Sequence, residues 1–331
     1  MPLHRNGRFK QLFIPVAVQV NTPHTGYRII RKIHIKMRYT IILFLLLCSC
    51  SYNLDKSELI GMDYRRFYGT EAEKLAKAVR DGDVKSIREE VLEHNVPVDI
   101  REEEYGITLL MMATFYNNFK SVKCLLELGA DPNLCEDTTN SWGVNSVLIA
   151  SQRDDPSPEI LQMLIDYGGD PDSQAKGVMY NNLRELVPMR DFALQAASEN
   201  SLEKVKILLR AGADVNKYGE KNYQTAILYA GIHNQMDILL YLLQNGADYK
   251  IRFRKYESIR DTTNYTEYNI LDLLRKSTFP LDSRKHKQKM EVVEFLAKRG
   301  WNYWKAPIPD YIIEKAKKEY PDSWQEYLEA Y

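Results

Sequence analysis

Leu125-Leu126-Glu127-Leu128-Gly129-Ala130-Asp131-Pro132-Asn133 reads as the last turn of a helix followed by the opening of a hairpin. The adjacent aliphatics close an apolar helix face against its neighbours. Gly129 offers the left-handed backbone that stops a helix, and Asp131 and the residues after it begin the turn. The same phrase returns as Leu164-Ile165-Asp166-Tyr167-Gly168-Gly169-Asp170-Pro171-Asp172, as Leu208-Leu209-Arg210-Ala211-Gly212-Ala213-Asp214-Val215-Asn216, and as Leu242-Leu243-Gln244-Asn245-Gly246-Ala247-Asp248. Such recurrence marks a repeat architecture, in which each unit buries its apolar face on its neighbours.

Each ending has a matching beginning upstream: Thr108-Leu109-Leu110-Met111-Met112-Ala113, Asn145-Ser146-Val147-Leu148-Ile149-Ala150, Asp191-Phe192-Ala193-Leu194-Gln195-Ala196 and Thr225-Ala226-Ile227-Leu228-Tyr229-Ala230. The first residue of each is expected to cap a helix, and the recurring Ala to let two helices approach closely. Together the beginnings and endings resemble the ankyrin repeat. That family opens each repeat with Thr-Pro-Leu-His; no unit here keeps the Pro or the His, which implies variable loops and modest stability per repeat. Glu73–Asp99 fit a first unit, with Ala78, Gly82 and Val96-Pro97-Val98-Asp99 in register. Asn269–Leu274 and Val292–Gly300 fit a sixth, interrupted by Arg275–Met290. The resemblance implies an all-α solenoid over 69–304: about six divergent repeats of paired antiparallel helices with β-hairpin fingers. A helical cap over 305–331 would close it, with Asp310–Glu319 helical and Ser323 and Glu326 forming a capping box before a last short helix.

The N-terminus reads as an address. Residues 1–49 carry eight Lys/Arg and no Asp or Glu. Seven apolar residues, Ile41–Leu47, precede Cys48-Ser49-Cys50, a run too short to span a bilayer, which needs about 20. Leu47, Ser49 and Cys50 resemble a bacterial lipoprotein signal with Cys50 as the lipidated residue. Residues 37–49 are then the signal peptide, and 1–36 are an extension from an upstream start, with Met37 the expected beginning. Residues 50–68, polar and irregular, are expected to be a tether with a reach of roughly 20–25 Å. The implied location is the outer membrane of a bacterial envelope, on its periplasmic or surface side, held by the lipid anchor only. If the signal reading fails, the alternative is the cytoplasm.

The whole chain balances 45 Lys/Arg against 45 Asp/Glu. Setting aside the eight basic residues of 1–49 leaves 37 basic against 45 acidic, a formal −8 that repels a phosphate backbone, so nucleic acid is not an expected partner. Catalytic signatures are sparse. His94, His233 and His286 have no metal-ligand spacing, and there is no Gly-rich phosphate loop. Ser201 and Lys204 match a Ser-x-x-Lys pair, but repeat register puts Ser201 at a helix cap and Lys204 on an exposed face. Asp81-Gly82-Asp83 is an inter-helix turn and not a calcium loop. Cys124 reads as a small core residue and Cys135 as a finger residue, two free thiols. No cofactor and no metal are expected.

The expected function is therefore a monomeric, non-catalytic binding module for a protein partner of unstated identity, in a narrower form an inhibitor or immunity-type protein. The alternative is an enzyme with its site on the insertions 173–190 and 251–268, which with 134–143 exceed the short ankyrin finger. Tyr249–Arg254 alternate apolar and basic residues, as in a two-sided strand, and predict a lengthened hairpin. In ankyrin stacks, fingers and first helices line one concave face. Carried over, the positions one before, two after and three after the recurring Ala are Met112, Phe115 and Tyr116; Ile149, Gln152 and Arg153; Gln195, Ser198 and Glu199; and Tyr229, Ile232 and His233. Trp142, Tyr218, Tyr223 and Phe253 fall in the fingers. The aromatics among them are expected interface anchors. Packing between repeats is the competing role for Phe115, Tyr116 and Tyr229.

Overall fold

Each glycine of the repeated ending adopts positive φ: Gly129 at 92°, Gly168 at 89°, Gly212 at 96°, Gly246 at 93°, and Gly300 of the sixth unit at 85°. The residue after each glycine donates its N–H to a carbonyl one turn back. Ala130 reaches Leu125, Gly169 reaches Leu164, Ala213 reaches Leu208, Ala247 reaches Leu242 and Trp301 reaches Leu296, at 2.9–3.1 Å. This closure is what the Leu-x-x-x-Gly spacing encodes.

These turns come from a computed structural model that describes residues 56–139, 141–152, 156–180, 186–188, 191–218, 224–256 and 264–331. Six helix pairs follow in order: α1 (Glu73–Asp81) with α2 (Val84–Leu92), α3 (Leu109–Phe115) with α4 (Phe119–Glu127), α5 (Ser146–Gln152) with α6 (Pro158–Asp166), α7 (Ala193–Ala197) with α8 (Leu202–Arg210), α9 (Ala226–Ile232) with α10 (Met236–Gln244), and α11 (Ile270–Lys276) with α12 (Arg284–Ala297). First helices pack on first helices and second on second. A continuous apolar core runs from Tyr64 to Tyr303 and includes the recurring Ala113, Ala150, Ala196 and Ala230. The fold is an all-α repeat solenoid. Two further helices, α13 (Asp310–Glu319) and α14 (Trp324–Ala330), form the C-terminal cap. Among the described residues no helix is long and apolar enough to cross a membrane.

Two insertions are hairpins. β1 (Val178–Tyr180) pairs antiparallel with β2 (Leu186–Pro188), and β3 (Phe253–Tyr256) with β4 (Tyr265–Tyr268), Arg254 opposite Glu267. The second is the strand pair that the alternation after Tyr249 predicts.

Several expectations are corrected. The tether does not extend to residue 68. Tyr64 and Phe67 enter the core, and Arg66 is buried, its guanidinium donating to Glu104 (2.6 Å) and to the carbonyls of Ile60 (3.0 Å) and Leu59. The break in the sixth unit is shorter than Arg275–Met290, because α11 continues to Lys276 and α12 already begins at Arg284. Thr108, Asn145 and Asn269 cap their helices, accepting from Met111 (3.3 Å), Leu148 (2.9 Å) and Leu271 (2.8 Å). Asp191 and Thr225 do not: Gln195 accepts the Phe192 N–H instead, and the Thr225 hydroxyl is buried without a partner. Ser201 caps α8, but Lys204 is buried, since it shares the inward face of α8 with Val205, Ile207 and Leu208. Ser323 precedes α14 without a side-chain cap bond.

Candidate partner-binding face

The fingers are tied to one another by a ladder of Asp and Asn side chains. Asp131, Asp170, Asp214 and Asp248 each accept, through Oδ1, the N–H two residues on, at 2.8–2.9 Å. Their own N–H groups donate backward, to Asp99 (3.1 Å), Asn133 (2.8 Å), Asp172 (3.0 Å) and Asn216 (2.7 Å) of the preceding unit. Where the acceptor is Asn, its amide also donates forward, Asn133 to the Gly168 carbonyl and Asn216 to the Gly246 carbonyl. Repetition of the Gly-x-Asp-x-Asn phrase is therefore the signature of an inter-repeat bond, which the sequence displays without revealing the partner.

Neighbouring fingers also touch by backbone. Gly177 and Val178 donate to the carbonyls of Trp142 and Ser141 at 3.0 and 2.8 Å. A Cβ on Gly177 would lie 2.1 Å from the Ser141 oxygen, so only glycine fits. Trp142 sits beside this contact with its side chain 51% exposed.

The three first-helix positions behave differently. The one before the Ala is a packing seam: Met112, Ile149 and Gln195 are buried and leave the candidate face. Gln195 spans to the next finger, donating to the Gln224 carbonyl. Tyr229 holds the same position half-buried, and its hydroxyl donates to Asp191 (2.9 Å), so it fastens adjacent repeats. Burial pushes its phenol well above the usual range. Two after the Ala, Ser198 is buried, Phe115 and Gln152 are half-buried and Ile232 is exposed. Three after it, Tyr116 is 47% exposed, His233 exposed and Glu199 half-buried. His233 Nε2 lies 4.0 Å from Glu199, whose carboxyl is raised by burial, with His233 opposing. Phe253 is wholly buried against Tyr268 and is core, because the hairpin turns its first residue inward. Tyr218 is exposed. Arg153, Tyr223 and Cys50, the expected lipidation site, lie outside the described residues.

Tyr116 stacks on Tyr64, ring centres 5.4 Å apart, and meets Phe115 edge-on at 5.1 Å. Asp63, Arg65, Arg80, Asn117, Phe119 and Lys120 complete an open depression of about 660 Å³ around the pair. Sequence reading missed its N-terminal wall, since Tyr64 belongs to the stretch read as tether. Asn117 and Asn118, at the turn into α4, hold this edge: the Asn117 carboxamide oxygen accepts from Ser157, and the Asn118 amide donates to the Val79 carbonyl. Cys124 is buried and Cys135 half-buried, both free thiols. Among the described residues no group of three His, Cys, Asp or Glu could hold a metal ion.

The family model for ankyrin repeats, in three copies, matches residues 147–252, and the single-repeat model matches 105–137. The chain contains ankyrin repeats. The matched span covers the second to fifth helix pairs, and the ankyrin architecture marks the stack as a protein-binding module. No curated protein matches the chain.

Proposed function

We propose that this ankyrin stack binds one protein partner through the face carrying Tyr116, Trp142, Tyr218, Ile232 and His233. The observation that carries the reading is the exposure of these side chains at finger and first-helix positions, where Met112, Ile149 and Gln195 of the first helices are buried. Large aromatic surface left in water is typical of interface anchors. The partner is held without chemistry on it, and the module acts as a monomer. The Leu47–Cys50 signal supports a lipid anchor at Cys50 and a place in a bacterial envelope, at the outer membrane. The formal −8 beyond residue 49 supports a basic partner, as for an inhibitor that neutralises a toxin.

Two experiments test this. Residues 51–331, used as bait in envelope extract, should recover one stoichiometric protein. Turnover of an ester or phosphate panel by the same protein would speak for an enzyme. Palmitate label should enter the full chain and fail to enter Cys50→Ala; label in the variant, or none in wild type, removes the anchor.

A further inference from the structure

The cap and the repeats have separate apolar cores. Ile312, Ala316, Tyr327 and Tyr331 cluster with one another, while the repeat core ends at Tyr303. Between them lies a seam built on two cations. Arg275 of α11 and Lys289 of α12 are both buried, Lys289 at 0% exposure. The Arg275 guanidinium stands 3.9 Å from the Tyr303 ring centre and 5.2 Å from that of Tyr331. The Lys289 ammonium stands 5.0 and 4.2 Å from the same rings. Lys289 donates to the Ser277 carbonyl (2.9 Å) and Arg275 Nη2 to the Tyr303 carbonyl (3.1 Å), but Arg275 Nε and Nη1 have no partner. Cap and stack are then stitched by hydroxyls: Tyr303 donates to the terminal main-chain oxygen of Tyr331, Tyr331 to the Arg275 carbonyl and Tyr327 to the Phe279 carbonyl, at 2.9–3.2 Å. Among the described residues neither cation is in an ion pair.

Two like charges buried with no carboxylate in ion-pair contact carry a large desolvation cost. Arginine keeps its proton in any protein, whereas a buried lysine gives its proton up. We propose that α13 and α14 form a proton-sensitive latch, docked on the sixth repeat while Lys289 is neutral and loosened when Lys289 takes a proton beside Arg275. The inference is independent of what the groove binds.

Burial first, and the Arg275 charge second, bring the Lys289 ammonium down to about 7. With the cap open, Lys289 titrates near its ordinary value of about 10.5. Between about 7 and 10.5 the open form holds a proton that the closed form lacks, so closure strengthens as pH rises; below about 7 both forms hold it and the dependence flattens. Other groups at the seam act outside this window. His286, buried on α12 with Nδ1 unpartnered, is lowered by burial and by Lys289, and weakens closure as pH falls below its ordinary 6.5. Tyr303, Tyr327 and Tyr331 are raised by burial, so their ionisation opposes closure only above about 10.

Hydrogen exchange of the full chain between pH 7 and 9, expressed as protection relative to intrinsic rates, reads the latch at Ile312, Ala316 and Tyr327. Protection there should rise by up to about tenfold per pH unit in wild type, while that of Val122–Leu126 stays level. Lys289→Met should be protected at pH 7 as wild type is at pH 9, with no rise. Lys289→Arg, permanently charged, should stay weakly protected throughout. Flat wild-type protection across this range overturns the latch, and so does a Lys289→Met cap that is open at every pH.

Discussion

Arg66 lies buried among Glu104, two backbone carbonyls and the Tyr105 ring, whose centre is 4.6 Å from its guanidinium. Glu102, also buried, stands 3.9 Å away and accepts the N–H groups of Glu104 and Tyr105. Arg66→Ala should therefore cost about 3–5 kcal/mol, since it takes the positive charge away from buried Glu102 and the donor away from the Leu59 and Ile60 carbonyls. Arg66→Lys should recover only part, because an ammonium cannot fan out to as many acceptors. Urea unfolding measures both, and an unmoved midpoint for Arg66→Ala would mean that residues 56–68 do not pack. Local polarity hid this contact, because its carboxylate partner Glu104 lies 38 residues downstream. The burial of Lys204 and Met112 is hidden in the sequence for a related reason: which face of a short helix is buried depends on the neighbouring repeat.

At the scale of the element, the finger ladder was visible as a repeated phrase and obscure as a mechanism. Asn133 makes two bonds across the repeat boundary, to the Asp170 N–H and the Gly168 carbonyl, each 2.8–2.9 Å. Asn133→Ala should lose about 1–3 kcal/mol, and Asn133→Asp less, since the carboxylate still accepts from Asp170. Hydrogen exchange should place the loss at residues 168–173; a loss spread evenly over all fingers would contradict the ladder. Gly177→Ala should loosen the neighbouring fingers, because its methyl meets the Ser141 carbonyl. The β3–β4 hairpin was legible, since alternation of apolar and basic residues specifies a strand whatever surrounds it. That Phe253 points into the core was not, because alternation gives two faces without naming the inner one.

For the whole molecule, stability is nearly a sum of neighbour interfaces. Ending the chain after Trp304 removes α13 and α14 and bares the seam at Arg275 and Lys289. Exchange should then quicken in α11 and α12 before it does in α3 to α8. Uniform loss of protection would mean one global core. The repeat count and the order of helices could be read from the sequence because each unit carries its own stop signal. The proposed binding face could be read only in part: repeat symmetry gives positions, while packing decides which of them reach water. Tyr116 and Trp142 reach it, whereas Tyr229 spends its hydroxyl on Asp191. The most direct test of a binding face on this stack is the affinity of the recovered partner for Tyr116→Ala and Trp142→Ala, measured alongside melting. Affinity should fall by about 1–4 kcal/mol while melting moves by no more than about 2–4 °C. A sharp drop in melting with affinity unchanged would make these side chains packing residues and place the partner elsewhere.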